Sequence, residues 1–499
     1  MLRALILVLM IAAEAVAAPT ATIRLAAPVP TTTYGNPYSV DDGSSVRPSL
    51  LDGLTQLQRN GTLEPALATS WTLTSPTTWV FNLRPAVVFH NGAPFTADSV
   101  IAALAFLKSD AAQSLFAARD IRAIAGWRAL DPLTLEITTS TPDPILPNRM
   151  AGMMIPEPGA WTALGPEGFA DAPVGTGPFR PLDWRRGTGR IALVAVPTSW
   201  RASNSVARVD ITVLTDVTTR LQALMSDQTD IAVNLEPDQL DIVRAAGATV
   251  HILPAPHVLA VALRNVRDDP TPLKDARVRR ALNLAVNKDL MTKAVLGGYG
   301  VVASQITTRG IPGYDPNLKP FPYDPAAAKQ LLAEAGYGKG FELTIGVFSG
   351  QVPGDTSMFQ MMRQDLAAVG VKATLRSLSM ADFMQRIATA QWSGLDALPT
   401  TISSARLGDA RQPIEQLSCG APAQLFCAPE LTDLIGRSTL ELDPARRIAL
   451  MQEVVGRFQD LAPVLLLTEY ASFTGTSRRV KTYAARANGV KFESVIVED

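Results

Sequence analysis

Any catalysis in this chain has to be built from very few histidines. The 499 residues include three, His90, His251 and His257, and none belongs to a His-Glu-x-x-His pair able to hold zinc. No serine occupies a Gly-x-Ser-x-Gly elbow, so acyl-transfer chemistry lacks its nucleophile turn. No glycine-rich loop runs into Lys-Ser/Thr to cradle a phosphate. Gly297-Gly298-Tyr299-Gly300 follows a helical stretch and lacks the preceding strand of a dinucleotide turn. Carboxylate pairs are uninformative, because 46 Asp and Glu make chance neighbours easy. His90, between Phe89 and Asn91-Gly92, reads as a turn imidazole that satisfies backbone groups. His251 and His257 border the middle of the chain, and His257 is a candidate to face a cleft if the chain hinges there. Cys419 and Cys427 sit in a loop with Gly420, Pro422 and Pro429. A disulfide is their natural state in an oxidising compartment, and two free buried thiols are the alternative. Two ligands without neighbouring histidines fall short of a zinc site.

These residues argue for binding rather than turnover, with a secreted α/β hydrolase as the competing reading. The formal net charge of −1 gives no field to steer the chain onto nucleic acid or anionic lipid. Residues 1–17 read as a cleaved export signal: Arg3, the apolar run 4–13, and Ala15-Val16-Ala17 as the small-x-small site. That run is too short to span a membrane, and no later one reaches about 18 apolar residues. A soluble, periplasmic mature chain is expected.

The elements that must position a site are legible in outline. Residues 21–26 alternate as a strand, and 71–73 with 78–83 form an aromatic hairpin pattern. Thr96 precedes a helical spacing of Val100, Leu104 and Leu107. Residues 50–57 read as a short helix, and 259–263 as a strand ending at Asn265. Beyond it, 275–296 reads as one long helical stretch, followed by helix 325–335, strand 341–348, helix 356–369 and strand 371–377. That alternation implies an α/β fold with a mainly parallel sheet. Asp324-Pro325 opens a helix with an aspartate cap and proline in its first turn.

Four stretches together resemble the peptide/nickel class, family 5, of extracytoplasmic solute-binding proteins of ABC importers. The first runs from Leu51-Asp52-Gly53-Leu54 through Leu63-Glu64-Pro65-Ala66-Leu67-Ala68 to Val88-Phe89-His90-Asn91-Gly92. The second is Pro173-Val174-Gly175-Thr176-Gly177-Pro178-Phe179. The third is Asp275-Ala276-Arg277-Val278-Arg279-Arg280-Ala281-Leu282-Asn283, continuing to Lys288. The fourth is Tyr323-Asp324-Pro325 followed by Leu331-Leu332-Ala333-Glu334-Ala335-Gly336-Tyr337. Their order and spacing cover nearly the whole mature chain, and the likeness is greatest to nickel-chelate-binding members.

The resemblance implies a two-lobe binding-protein fold with a hinge and a domain inserted in the first lobe. Residues 18–50, 175–264 and 470–499 would form lobe I, 51–174 the insertion, and 265–469 lobe II. It implies a receptor that closes on a small carboxylate-bearing ligand, whether short peptide, opine-like conjugate or metal chelate. The receptor would hand that ligand to permease subunits as a monomer, with no cofactor beyond a metal carried in the chelate. A receptor feeding a signalling partner would use the same trap. By position, Arg149 resembles the arginine that grips a chelator's carboxylates, and Tyr38 and Phe116 resemble two aromatic positions. Arg411 stands near a family histidine and would add a second carboxylate clamp. Asp409 lies beside the aspartate that pairs a peptide's amine in dipeptide-binding members, whose late disulfide resembles Cys419 and Cys427.

Overall fold

Two long antiparallel strands, Thr249–Leu263 and Val464–Thr476, organise the molecule. This computed structural model describes residues 19–28, 35–38, 45–113, 115–184, 188–267, 269–347, 352–401, 403–404, 406–486 and 489–498; the expected export signal lies outside them. On one side of the long pair, Ile231–Ala232, Ala21–Ala27, Val206–Val213, Arg190–Ala195 and Phe179–Trp184 extend the sheet. On the other side follow Ala397–Thr400, Phe341–Val347 and Val371–Ser377. The long strands serve both halves, so one hydrogen-bonded sheet runs through a two-lobed α/β molecule. Their ladder slips between Pro254 and Val258, opposite Glu469–Ala471, and the slip sits where the two halves meet. Such a bulge bends and twists a strand locally.

The sheet is mixed rather than mainly parallel. Ala21–Ala27 pairs in parallel with Val206–Val213, and Phe341–Val347 with Val371–Ser377. The long pair and the strands from Phe179 to Val213 are antiparallel. Helical crossovers suit the parallel pair Phe341–Val347 and Val371–Ser377; direct turns between the consecutive strands from Phe179 to Val213, and the return of the chain through Val464–Thr476, produce the antiparallel part.

A separate four-stranded antiparallel sheet, Ala68–Ser75, Thr78–Leu83, Thr134–Thr139 and Ile124–Asp131, packs on its own apolar core with Phe81, Leu135 and Ile137 fully buried. The helix Ala97–Leu107 covers it, started by Thr96 and by the Ser99 hydroxyl, which accepts from the Thr96 N–H at 3.3 Å. Residues 50–57 are not a helix: a helical turn Arg47–Leu50 ends before a strand Thr55–Leu57, which hairpins with Leu63–Pro65.

Gly175 and Gly177 are required by close approach. A Cβ on Gly175 would lie 2.1 Å from the Leu50 carbonyl oxygen, and one on Gly177 2.3 Å from that of Ser49. His90 ties this turn, accepting from the Gly175 N–H at 3.2 Å and contacting the Gly177 carbonyl at 3.1 Å. Burial pushes its imidazole down to about 4, so the ring is neutral near pH 7.

The expected long helix over 275–296 is two helices, Ala276–Ala285 and Lys288–Leu296, because Val286 is extended and the Asn287 side chain caps the second. Asn283, fully buried, clamps the first helix to a long strand. Its amide donates to the Val464 carbonyl at 2.9 Å, and its oxygen accepts from the Leu466 N–H at 3.1 Å. Asp324 caps Pro325–Glu334 through the Ala327 N–H at 2.8 Å, as its sequence predicts.

Candidate functional site

Arg149 and Arg411 come to the same place from distant parts of the chain. Arg149 sits on the short helix Leu146–Gly152, begun with Pro147, and its Nε donates to Asp143 at 2.8 Å. Arg411 starts the turn Gln412–Glu415. Its backbone N–H donates to Asp409 at 2.9 Å, and its guanidinium reaches Thr439, Asp409 (3.5 Å) and Glu415 (3.3 Å). Arg447, on the helix Pro444–Leu461, forms a second ion pair with Asp409. Asp409 is completely buried and Arg411 is 2% exposed. Burial opposes ionisation of Asp409, yet Arg411 and Arg447 prevail and hold its carboxyl below the usual aspartate range. Burial works against the charge on Arg411 as well; Asp409, Glu415 and Asp143 outweigh it and raise its pKa.

Asp409 and Arg411 therefore spend most of their hydrogen-bonding capacity on each other and on Arg447, Glu415 and Thr439. The Nε atoms of Arg411 and Arg447 remain without a partner. Arg447 carries no recognisable motif in sequence, and 38 residues separate it from Asp409.

Just before this cluster, residues 406–408 meet the body that carries the four-stranded sheet. Arg406 pairs with Asp120. The Leu407 carbonyl accepts from Asn148 Nδ2 at 2.8 Å. Gly408, at φ +60°, packs so closely that an added Cβ would lie 2.9 Å from the Gly61 carbonyl oxygen and 3.0 Å from Leu57 Cδ2. Beside this seam, Arg119, Asp120, Arg122, Ala123, Ser140 and Arg149 line an open pocket of roughly 350 Å³. Sequence reasoning missed Arg119 and Arg122: Arg119 lies in the helix Phe116–Asp120 and Arg122 just beyond it, so no helical spacing marks them as a pair.

Tyr38 is placed elsewhere, buried among rings. It stacks on Phe106 at 5.4 Å and meets Trp161 edge-on at 5.3 Å. Phe106 and Trp161 also wall an apolar pocket of roughly 310 Å³. The Tyr38 hydroxyl has no partner, and burial raises its pKa. Phe116 opens the helix Phe116–Asp120; its side chain lies outside the described residues. His257 sits at the slip in the long strands, stacked on Tyr470 at 5.9 Å, and burial pushes its imidazole down to about 4. Cys419 and Cys427 form a disulfide. The loop they close is pinned by Asn265, whose amide donates to the Cys427 carbonyl at 3.1 Å and whose oxygen accepts from the Cys427 N–H at 3.0 Å. Among the described residues, no group of three or more His, Cys, Asp and Glu is arranged to hold a metal, and no helix is long and apolar enough to cross a membrane.

Comparison with known proteins agrees with this architecture. The chain is 28% identical over 464 residues to the glutathione-binding protein GsiB of Pectobacterium atrosepticum, covering 89% of this chain and 88% of that protein. Its fold matches the periplasmic binding protein DppA of Helicobacter pylori in complex with peptide STSA, at TM-score 0.80 and 21% identity, covering 96% of this chain and 98% of that one. It also matches NikA of Staphylococcus aureus in complex with Ni(L-His)2, at TM-score 0.78 and 19% identity, covering 96% and 100%. Residues 62–411 match the bacterial extracellular solute-binding proteins, family 5, and the chain belongs to that family.

Proposed function

We propose that the ligand is a small molecule with two or more carboxylates, captured between the closing lobes and passed to ABC permease subunits. Family 5 members are binding proteins that take small ligands and deliver them to such permeases. The observation that carries the ligand class is the arginine-rich pocket at the seam. Arg119, Arg122 and Arg149 line it; of the neighbouring carboxylates, Asp120 pairs with Arg406 and Asp143 takes only the Nε of Arg149. Guanidinium groups recognise carboxylates bidentately, which suits a metal chelate, an opine-like conjugate or an acidic peptide. Recognition of an ammonium group is disfavoured at Asp409, whose carboxylate is held by two arginines.

On this reading Arg149 grips ligand directly, while Asp409 and Arg411 hold the loop beside it. Phe116 is proposed as an aromatic contact on its family position alone, Tyr38 packs with Phe106 and Trp161 and is not among the residues lining this pocket, and any metal arrives within the ligand. The chain acts as an exported monomer without catalysis, its first 17 residues removed. The inserted domain spans 51–174, with lobe I at 18–50, 175–264 and 470–499 and lobe II at 265–469. Native mass spectrometry of protein purified from its own periplasm, with metal analysis of the same sample, tests the ligand class. A bound acidic mass supports it, and stoichiometric nickel, cobalt or zinc makes that mass a chelate. A bound solute without acidic groups refutes it.

A further inference from the structure

We infer that residues 406–408 form a latch that holds the two lobes closed through contacts within the protein, so that a closed population exists before ligand arrives. The inference rests on the two-lobe receptor reading. Three consecutive residues each engage a different element of the opposing body. The Arg406 guanidinium pairs with Asp120, at the end of Phe116–Asp120. The Leu407 carbonyl accepts from Asn148, on Leu146–Gly152. Gly408 lies against Gly61, at the tip of the hairpin Thr55–Leu57/Leu63–Pro65.

The hairpin tip is itself preformed. The Gln58 N–H donates to the Thr62 carbonyl at 2.8 Å, the Gly61 N–H to the Gln58 carbonyl at 3.0 Å, and Asn60 Oδ1 accepts from the Thr62 N–H at 3.1 Å. A Cβ on Gly61 would meet Pro312 Cδ at 2.8 Å, so the tip fits a slot between residues 311–312 and 408. Arg59 extends the same contact to the hinge strand by donating to the Pro254 carbonyl.

The latch is rigid from behind. The Asp409 N–H donates to the Ser404 carbonyl at 3.1 Å, the Ala410 N–H to the Pro312 carbonyl at 3.1 Å, and the Asp409 carboxylate is fixed by Arg411 and Arg447. A loop anchored this way presents Gly408 at a fixed height, and nothing larger than glycine lets the two backbones approach. Gly61 and Gly408 are thus positioning residues: they set the closed geometry in which the ligand is gripped. Because apparent affinity scales with the fraction of binding-competent molecules, changing them weakens binding even though every ligand-gripping side chain stays in place.

The test measures distances between spin labels at the exposed positions 98 and 433, in protein shown by native mass spectrometry to carry no solute. The expected result is a closed population in the unmodified chain that Gly408→Val depletes about tenfold or more, as overpacking at a tight contact demands. Arg406→Ala, at a partly exposed position, should deplete it less. Half-molar salt should do the same to the unmodified chain but not to Arg406→Ala. Circular dichroism and the melting temperature report whether each variant folds. If Gly408→Val does not fold, the salt and Arg406→Ala comparison decides. Absence of a closed population in the solute-free chain, or a population unchanged in the folded variants, overturns the latch. Whether a solute co-purifies is read separately and bears on the receptor assignment alone.

Discussion

Replacing Asp409 with alanine should destabilise the protein more than any other single change near the seam. The variant leaves Arg411 and Arg447 without the carboxylate they share, and their side chains are only 2% and 10% exposed. Removing one partner of a buried ion pair costs about 3–5 kcal/mol, most of it from stranding the remaining charge. Glu415 stays near Arg411 at 3.3 Å, but its side chain is 39% exposed and screened by water. It offsets part of the loss, which places the expectation near about 3 kcal/mol. For a cooperative unit of roughly 150–250 residues this lowers the melting temperature by about 6–12 °C. Differential scanning calorimetry on the ligand-free protein measures it. Acid unfolding provides an independent check. The Asp409 pKa is depressed on folding, so its stabilisation is present above the unfolded aspartate value of about 4 and lost as pH falls below it. Asp409→Ala should lack that part of the acid slope. A triple change, Asp409→Leu with Arg411→Met and Arg447→Leu, should recover much of the stability, since a buried charge cluster is replaceable by apolar volume. A melting temperature within about 2 °C of the unmodified chain for Asp409→Ala alone would refute this reasoning.

Lys288 is buried, donating to the Asn283 carbonyl at 2.5 Å and the Phe321 carbonyl at 3.3 Å, and burial lowers its pKa to about 7. The unfolded chain therefore binds more protons between pH 7 and the ordinary lysine value of about 10.4, and stability should rise with pH across that window. Urea midpoints of Lys288→Met should show a flatter rise. Gly175→Ala forces a Cβ to 2.1 Å from a backbone oxygen, and the folded yield should collapse while Gly436→Ala, with open space around it, folds normally. Removing the disulfide by replacing Cys419 and Cys427 with alanine should cost about 2–3 kcal/mol in calorimetry, because the closed loop is short. Arg149→Ala should weaken ligand binding by about 1.5–3 kcal/mol, the range for charge-assisted hydrogen bonds, and deplete any co-purifying mass in native spectra.

Local signals carried the second half of the fold far into detail. Helix Pro444–Leu461 and strand Val371–Ser377 begin and end where proline, glycine and apolar spacing place them. The long strands were legible only in part. Residues 259–263 show the strand pattern, but the observed strand starts at Thr249, because Pro254 and Pro256 break the alternation that marks one. Its pairing with Val464–Thr476 joins segments some 200 residues apart, which no local pattern encodes. At the site, Asp409 and Arg411 were marked only by their positions beside a family aspartate and a family histidine. Their spacing alone does not say whether they face a ligand or each other. The pairing of Asp409 with Arg447 comes from a different helix, where Arg447 is one of three arginines and nothing in the local sequence sets it apart from Arg446 and Arg457.

The threading of the first strand has a consequence for how the chain is made. Ala21–Ala27 pairs with Ile231–Ala232, which in turn pairs with Thr476 and Gly475. Arg24 and Arg479 share Asp230, the Val490 N–H donates to the Ser45 hydroxyl at 2.6 Å, and Arg201 pairs with Glu493. The half of the molecule made first thus cannot complete its pairing until residues 475–493 have been made. Contacts of such high sequence separation form slowly. The closing of that sheet is thus a late, long-range step, and until it happens the edges of Ala21–Ala27 and Ile231–Ala232 lack part of their ladder.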